Sequence, residues 1–403
     1  MGAYVYTPVN WNREAEALWS GGDRDAATEL VLKALDANPA PDPDAFIQSG
    51  FYLFQLFRFD LAGKVLEYGT SLFPDHPMIL LTLGTSFSRA GEHWKAIPIL
   101  ERFLALEQGD ASAYDALAMS CSVTGDVIRA RLFGTLALAA KDAITADRRG
   151  VPRLTLRREP GTRRRIIAFS LFGSNPRYLR GALHNVIAAR TLYPGWTCQF
   201  IVDDSVDATF CAVMAEEGAE IIHDASGDTD IRHLLTRRFL VADDPEVGYF
   251  IVRDCDSVVS KREAVAVSDW IDSGLPFHAM RDWYTHTDPM LAGMWGGVAG
   301  VLPDMKNAIA DYRDNHPLNT NWDQAFLSNQ VWPAVRDQIL VHDRLFETHA
   351  TRPFPTPTPP VAHVGQNEYA VDKQGQAAAL TAFADRIPAL SLPRSLKLDF
   401  QLG

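Results

Sequence analysis

The chain has 403 residues, 47% of them hydrophobic and 22% charged, with a formal net charge of -12. Such a length exceeds one comfortable hydrophobic core and predicts at least two domains, while the composition excludes a disordered, collagenous or mucin-like chain. The acidic balance opposes non-specific binding to nucleic acid or anionic lipid, because both require phosphate to be neutralised by Lys and Arg.

From the N-terminus, Ala- and Leu-rich helical patterns are broken at regular intervals by Gly and Pro. Gly22, Phe57, Gly91 and Gly125 fall in one column, close to the period of about 34 residues that marks a helix–turn–helix repeat. Trp11, Phe46 and Tyr114 share a large apolar column, and Gly50, Gly84 and Ala118 a small one where paired helices would cross. Ala27, Ala62, Ala96 and Ala130 fill a small site on each second helix. Pro39 and Pro74 close their repeats, since proline lacks the donor that would extend a helix. The pattern resembles about four tetratricopeptide-like hairpins over residues 1–148. Such hairpins stack to bury their apolar faces and leave a surface for a protein partner, a polymer or another copy of the chain. A scaffold or dimerisation module without a ligand fits the same pattern.

Residues 149–163 are rich in Arg and Pro and read as a linker. From residue 164 onward, short apolar runs alternate with amphipathic helices, predicting an α/β domain with a largely parallel sheet. Strands are expected at Ile166–Leu171, Gln199–Val202, Ala219–Ile222 and Tyr249–Arg253. Helices are expected at Arg177–Tyr193, Ala208–Glu217, Ile231–Val241, Arg262–Ser273, Asp304–Asn315 and Asp323–Val335. Ligands of such sheets bind outside the carboxyl ends of the strands, so chemistry is expected there. No apolar run reaches the ~18 residues of a membrane span and no signal peptide is legible, so a cytoplasmic location is expected. The four cysteines, Cys121, Cys198, Cys211 and Cys255, form no C-x-x-C pair and read as reduced thiols.

The sharpest motif is Arg253-Asp254-Cys255-Asp256-Ser257, which closes an apolar strand with two carboxylates one residue apart. Asp254 and Asp256 can reach one divalent cation and leave its other positions to substrate phosphates. A solvated turn is the bland alternative. His363, in Val361-Ala362-His363-Val364-Gly365 after a proline-rich loop, can complete a mixed oxygen and nitrogen site suited to Mn²⁺ or Mg²⁺. Asp323, in Asn321-Trp322-Asp323-Gln324, reads either as a helix N-cap or as a base for an acceptor hydroxyl. Arg281-Asp282-Trp283 and the following Met290-Leu291-Ala292-Gly293-Met294-Trp295-Gly296-Gly297, whose small residues would let backbone approach a ligand closely, read as a ligand-approach segment or as a structural turn.

Together these features resemble the metal-dependent nucleotide-sugar glycosyltransferases of the GT-A fold, over about residues 164–403. More narrowly, Arg253-Asp254-Cys255-Asp256-Ser257, the Arg262-Glu263 pair and the Met294-Trp295-Gly296 turn resemble a bacterial group associated with surface-polysaccharide synthesis. The resemblance implies a Rossmann-like nucleotide-diphospho-sugar transferase domain and a nucleoside diphosphate sugar donor, UDP-sugar first, with a glycan or other hydroxyl acceptor. It assigns Asp254, Asp256 and His363 to the metal, and Trp295 and Gly296 to the donor sugar. Phe169, Ser170, Leu171 and Asp204 fall to the nucleobase and ribose, and Asp323 and Gln324 to the sugar and acceptor. The residue-level reading adds Arg237 or Arg238 for the phosphates, and Asp323 or Asp282 as base if the reaction inverts the anomeric centre. Two rivals stand beside it. Asp254-Cys255-Asp256-Ser257-Val258 also fits a haloacid-dehalogenase phosphatase nucleophile, although three expected strands precede it. A non-catalytic repeat scaffold is the other.

Overall fold

The computed structural model describes residues 4–146, 153–154, 161, 163–316, 321–348, 351–357, 363–366, 383 and 386–387. Most of the expected linker, and Pro359 and Pro360 of the proline-rich loop, lie outside the described residues. The chain divides into two units, Met1–Asp147 with Tyr284–Asp288, and Arg148–Trp283 with Pro289–Gly403.

The first unit is built of helices α1 (Arg13–Ser20), α2 (Arg24–Ala37), α3 (Pro43–Gln55), α4 (Phe59–Leu72), α5 (Pro77–Arg89), α6 (His93–Leu106), α7 (Ala111–Val123) and α8 (Val127–Ala146). Asn12, Asp23, Asp42 and Asp110 cap four of the starts by accepting backbone N–H groups of the first turn. Each odd-numbered helix packs on the next to form a hairpin, and each hairpin packs on its neighbour. The column between paired helices has a backbone cause: Gly22, Gly91 and Gly125 sit at φ of 92°, 82° and 86°, and Phe57 at 59°. The small column has a packing cause. A Cβ at Gly50 would collide with Leu66, and one at Gly84 with Leu100. Ala27, Ala62, Ala96 and Ala130 are fully buried. These pairs make the unit a tetratricopeptide-like solenoid. Lys141 of α8 closes a charged cluster within it, pairing with Asp115 at 2.6 Å and Asp288 at 2.9 Å.

Among the described residues, the second unit centres on one sheet of eight strands: β1 (Arg164–Ser170), β2 (Trp196–Val202), β3 (Glu220–His223), β4 (Val247–Arg253), β5 (Phe277–Arg281), β6 (Met294–Val298), β7 (Ile339–Asp343) and β8 (Thr351–Arg352). Their order is β3-β2-β1-β4-β6-β5-β7-β8. Among these strands only β6 runs against the rest, antiparallel to β4 and β5. The Gly pair of β6 permits that close pairing, because a Cβ at Gly296 would meet the carbonyl oxygen of Phe250 at 2.5 Å. Side chains alternate across the sheet. Ile166, Ala168, Phe250 and Val252 join Phe239, Met305, Ile309 and Trp322 on one face. Ile167, Phe169 and Ile251 join Leu179, Leu183, Phe210 and Trp270 on the other. Helices α9 (Pro176–Leu192), α10 (Ala208–Glu216) and α12 (Lys261–Ser273) supply the second face.

Two expected helices are modified. The first begins as α11 (Ile231–Leu234) and continues as a 3₁₀ segment, Leu235–Asp243; α13 (Met305–Asn315) follows α12 as expected. The other is divided into α14 (Trp322–Phe326), a π turn at Leu327–Val331 and α15 (Trp332–Val335). Pro333 near the start of α15 lacks the N–H that would continue an unbroken helix, and the wider turn absorbs the mismatch. No helix among the described residues is long and apolar enough to cross a membrane.

Candidate active site at the end of β4

The strand order reverses between β1 and β4: β2 and β3 lie on one side of β1 and β4 on the other. Crevices at such switch points, beyond the carboxyl ends of the strands, are where open α/β sheets bind ligands. Asp254-Cys255-Asp256 leaves β4 there, and α9 holds the loop. Asn185 of α9 donates to the carbonyls of Cys255 (3.3 Å) and Ser257 (3.1 Å) and accepts from the Val259 N–H (2.9 Å). Gly181, one turn earlier, has room for no side chain, because a Cβ would collide with the Cys255 carbonyl. The Cys255 thiol donates to the Ser170 carbonyl at 3.2 Å, and burial raises its pKa well above the usual value. It is thus a loop anchor. Beneath the strand end, Arg253 and Tyr193 both donate to the buried Glu263 carboxylate.

Each carboxylate of the motif has its own arginine. Asp254 is 47% exposed and accepts from Arg238, whose side chain is only 2% exposed. Arg238 also donates to the Arg253 carbonyl and to Asp323, both at 3.0 Å. Burial works against the charge on Arg238, but Asp254 and Asp323 outweigh it and its pKa is raised. The Asp254 carboxylate lies over Gly293, where a Cβ would collide with Oδ2. Asp256 accepts from Arg177 of α9. Burial raises the Asp256 carboxyl pKa, the Asp254 charge adds to the shift, and Arg177 opposes it.

Asp323 meets this site through Arg238. It lies in the first turn of α14, which Asn321 precedes as the capping position, so the N-cap reading is corrected. Its Oδ1 accepts from the Gln324 N–H at 2.8 Å. Burial raises its pKa against the pull of Arg238, and Asp254 raises it further. Gln324 clamps the segment before Gly293, accepting from the Ala292 N–H at 2.8 Å and donating to the Met290 carbonyl.

His363 lies on a separate turn. Its ring stacks on Trp283 with centroids 4.8 Å apart, and Nδ1 lies 2.9 Å from the Val364 carbonyl. A carbonyl only accepts, so that contact places the proton on Nδ1 and leaves Nε2 as the lone-pair nitrogen. The neighbouring Gly365, at φ 82°, packs so closely on Met294 that a Cβ would touch its sulfur; Met294 pairs with Arg253 across β4 and β6. The turn therefore borders the strand end that carries Asp254. Among the described residues, however, no group of three or more His, Cys, Asp or Glu is gathered to hold a metal ion. The three-ligand set of Asp254, Asp256 and His363 is not assembled.

Several other expected site residues have structural posts instead. Asp282 is fully buried and receives both arms of Arg262, at 2.9 and 3.0 Å, together with the Val364 N–H at 2.9 Å. It positions the His363 turn and is no free base. Arg262 in turn donates to the carbonyls of Thr356 and Pro357 at 2.7 and 3.0 Å, tying down the proline-rich loop. Trp295 is buried in the core between Phe239 and Phe250, and Gly296 permits the β4–β6 pairing, so neither lines a sugar pocket. Phe169 stacks on Phe200 at 4.6 Å inside the core, where Leu171 is buried too. Ser170 donates to the Leu234 and Leu235 carbonyls and accepts from the Arg238 N–H at 3.1 Å, fixing the segment that carries Arg238. Asp204 is exposed in the loop after β2. Arg177, Gly181 and Asn185 are not among the expected site residues, and Gly293 enters there only as a small residue of the Met290–Gly297 segment. The glycines carried a signal, since a helix-interior Gly and a Gly beside a strand both indicate close approach.

No family model and no curated protein matches the chain. Similar solved structures include MamA residues 41 to the end from Desulfovibrio magneticus RS-1, 21% identical, covering 32% of this chain and 72% of that one with a TM-score of 0.30. TTC0263, a thermophilic TPR protein in Thermus thermophilus, is 20% identical over 33% of this chain and 75% of its own, with a TM-score of 0.28. YrrB, a TPR protein with an unusual peptide-binding site, is 17% identical over 31% and 64%, with a TM-score of 0.29.

Proposed function

We propose that the second unit is a GT-A-type glycosyltransferase that moves a sugar from a nucleoside diphosphate sugar, UDP-sugar first, to a hydroxyl acceptor such as a glycan. The observation that carries this reading is the pair Asp254 and Asp256 on a braced loop at the β1/β4 switch point. Their hard oxygen donors and the exposure of Asp254 fit Mg²⁺ or Mn²⁺, which commonly take one or two carboxylates and fill the remaining positions with substrate phosphates and water. His363 stays a neighbouring imidazole rather than a member of that donor pair. A divalent cation at such a site supplies Lewis-acid stabilisation of the departing diphosphate.

The remaining chemistry belongs to the chain. Arg238 fixes Asp254 and Asp323 on one rigid guanidinium, so the donor end and the acceptor end of the site share a common reference. Asp323 is the carboxylate left to take a proton from an acceptor hydroxyl if the anomeric centre inverts. Asp282 and Arg262 hold the His363 turn. The repeat unit is proposed to engage a protein partner, another copy of the chain or a long acceptor.

The test is release of nucleoside diphosphate from a panel of sugar nucleotides with and without Mn²⁺. One donor should turn over only with the cation, and Asp254→Asn and Asp256→Asn should each abolish turnover. Release that ignores both the cation and the substitutions, or no release from any donor, rejects the reading.

A further inference from the structure

The two arginines beside the carboxylates differ in freedom. Arg238 is sealed, with both terminal nitrogens held by the Arg253 carbonyl, Asp254 and Asp323. Arg177 is 41% exposed, and its Nε has no acceptor among the described residues. Its backbone is nevertheless fixed. The N-cap Asn175 accepts the Arg177 N–H at 3.0 Å, and Gly181 and Asn185 bind the same helix to the Asp256 loop. Arg177 therefore pivots only at its side chain, within reach of whatever occupies the space beside Asp256.

We propose, resting on the glycosyltransferase reading above, that Arg177 couples cation binding to diphosphate binding: it neutralises Asp256 in the empty site and moves to a donor phosphate when a divalent cation takes that carboxylate. A guanidinium on Asp256 competes with a cation for the same oxygen. Once displaced, it has a planar fork suited to a phosphate. The first effect weakens binding of the cation alone and the second strengthens binding of cation and diphosphate together. By linkage, each ligand then favours the other by the same factor.

Calorimetric titration of the full chain with Mn²⁺ alone, UDP alone and Mn²⁺ in the presence of UDP tests this in wild type, Arg177→Ala and Arg177→Lys. Arg177→Ala should bind Mn²⁺ alone about fivefold more tightly, and the favourable coupling between Mn²⁺ and UDP should fall about tenfold or more. Arg177→Lys, which keeps the charge but not the fork, should lie between. An unchanged coupling in Arg177→Ala, or weaker binding of Mn²⁺ alone, overturns the inference while leaving the enzyme reading intact. Failure of wild type to bind Mn²⁺ with UDP and, in the same titration, with GDP overturns both. Thermal melts matching wild type show that each variant is folded, as expected for a partly exposed side chain.

Discussion

The carboxylate of Asp254 rests on the bare backbone of Gly293, with no room for a side chain between them. That contact joins the end of β4 to the segment entering β6, and Gln324 clamps the same segment through Ala292 and Met290. A methyl group at this position acts on the site more than on the core. Gly293→Ala should therefore remove Mn²⁺-dependent UDP binding while costing about 1–3 kcal/mol of stability, as read by calorimetry and by denaturant unfolding. Wild-type binding in this variant would show that the Asp254 carboxylate is free to be elsewhere.

Arg238 pairs two acids with one sealed cation, so its removal leaves unbalanced charge. Arg238→Ala should destabilise the second unit by about 3 kcal/mol. Adding Asp323→Asn should recover part of the loss, because the uncompensated carboxylate goes with it. A double-mutant cycle on chemical denaturation measures the coupling, and strict additivity would argue against the pair.

Asp323 carries a carboxyl whose pKa burial raises, with Asp254 adding and Arg238 opposing. A base must be deprotonated, so kcat/KM should rise with pH through an acid limb above the usual carboxylate range. Asp323→Asn should abolish that limb along with the activity if the enzyme inverts. A limb unchanged in residual Asp323→Asn activity would assign it to another group.

Away from this site, His278 and His342 lie 2.8 Å apart in the sheet, and His342 meets Asp269 at 3.0 Å. Burial lowers both pKa values, that of His278 well below 6.5. The unfolded chain then binds more protons than the folded one below about pH 6.5, and stability is lost as pH falls from there toward the folded values. The midpoint of urea unfolding should fall between pH 7.5 and pH 5.5, and less steeply in His278→Gln. An equal slope in the variant would remove His278 as its source.

Phe57 stands where the other repeats have glycine and adopts φ of 59°, a backbone region that costs a side chain about 1 kcal/mol. Its ring is largely exposed. Phe57→Gly should raise stability by up to about 1 kcal/mol, whereas Phe57→Ala, which keeps the strained backbone without the ring, should not. Denaturant unfolding of the two variants decides it.

This position also shows how much of the fold was legible. The column of Gly22, Gly91 and Gly125 and the buried Ala27, Ala62, Ala96 and Ala130 repeat because one turn and one crossing repeat, so their spacing reveals the solenoid. The first four strands were visible as apolar runs. The later strands were not: β5 carries His278 and Arg281, whose partners come from distant β7, and the glycines of β6 resemble a turn until the approach of Phe250 is known. The carboxylate pair could be read from Asp-x-Asp after an apolar run. Arg238 could be named only as a phosphate candidate, and neither its pairing with Asp254 and Asp323 nor Arg177 could be read, since α9 and the 3₁₀ segment meet that loop only after folding. Asp282 and Trp295 looked available because sequence does not report burial.

On the proposed function, Asp254 and Asp256 bind a divalent cation together with a nucleoside diphosphate. Equilibrium binding of UDP and GDP to wild type and Asp256→Asn, each with Mn²⁺ and with EDTA, tests it most directly. At least one of the two should bind wild type with Mn²⁺, and that binding should be lost with EDTA and in Asp256→Asn. Binding of equal strength with EDTA or in Asp256→Asn, or no binding of either nucleotide under any of these conditions, would contradict it.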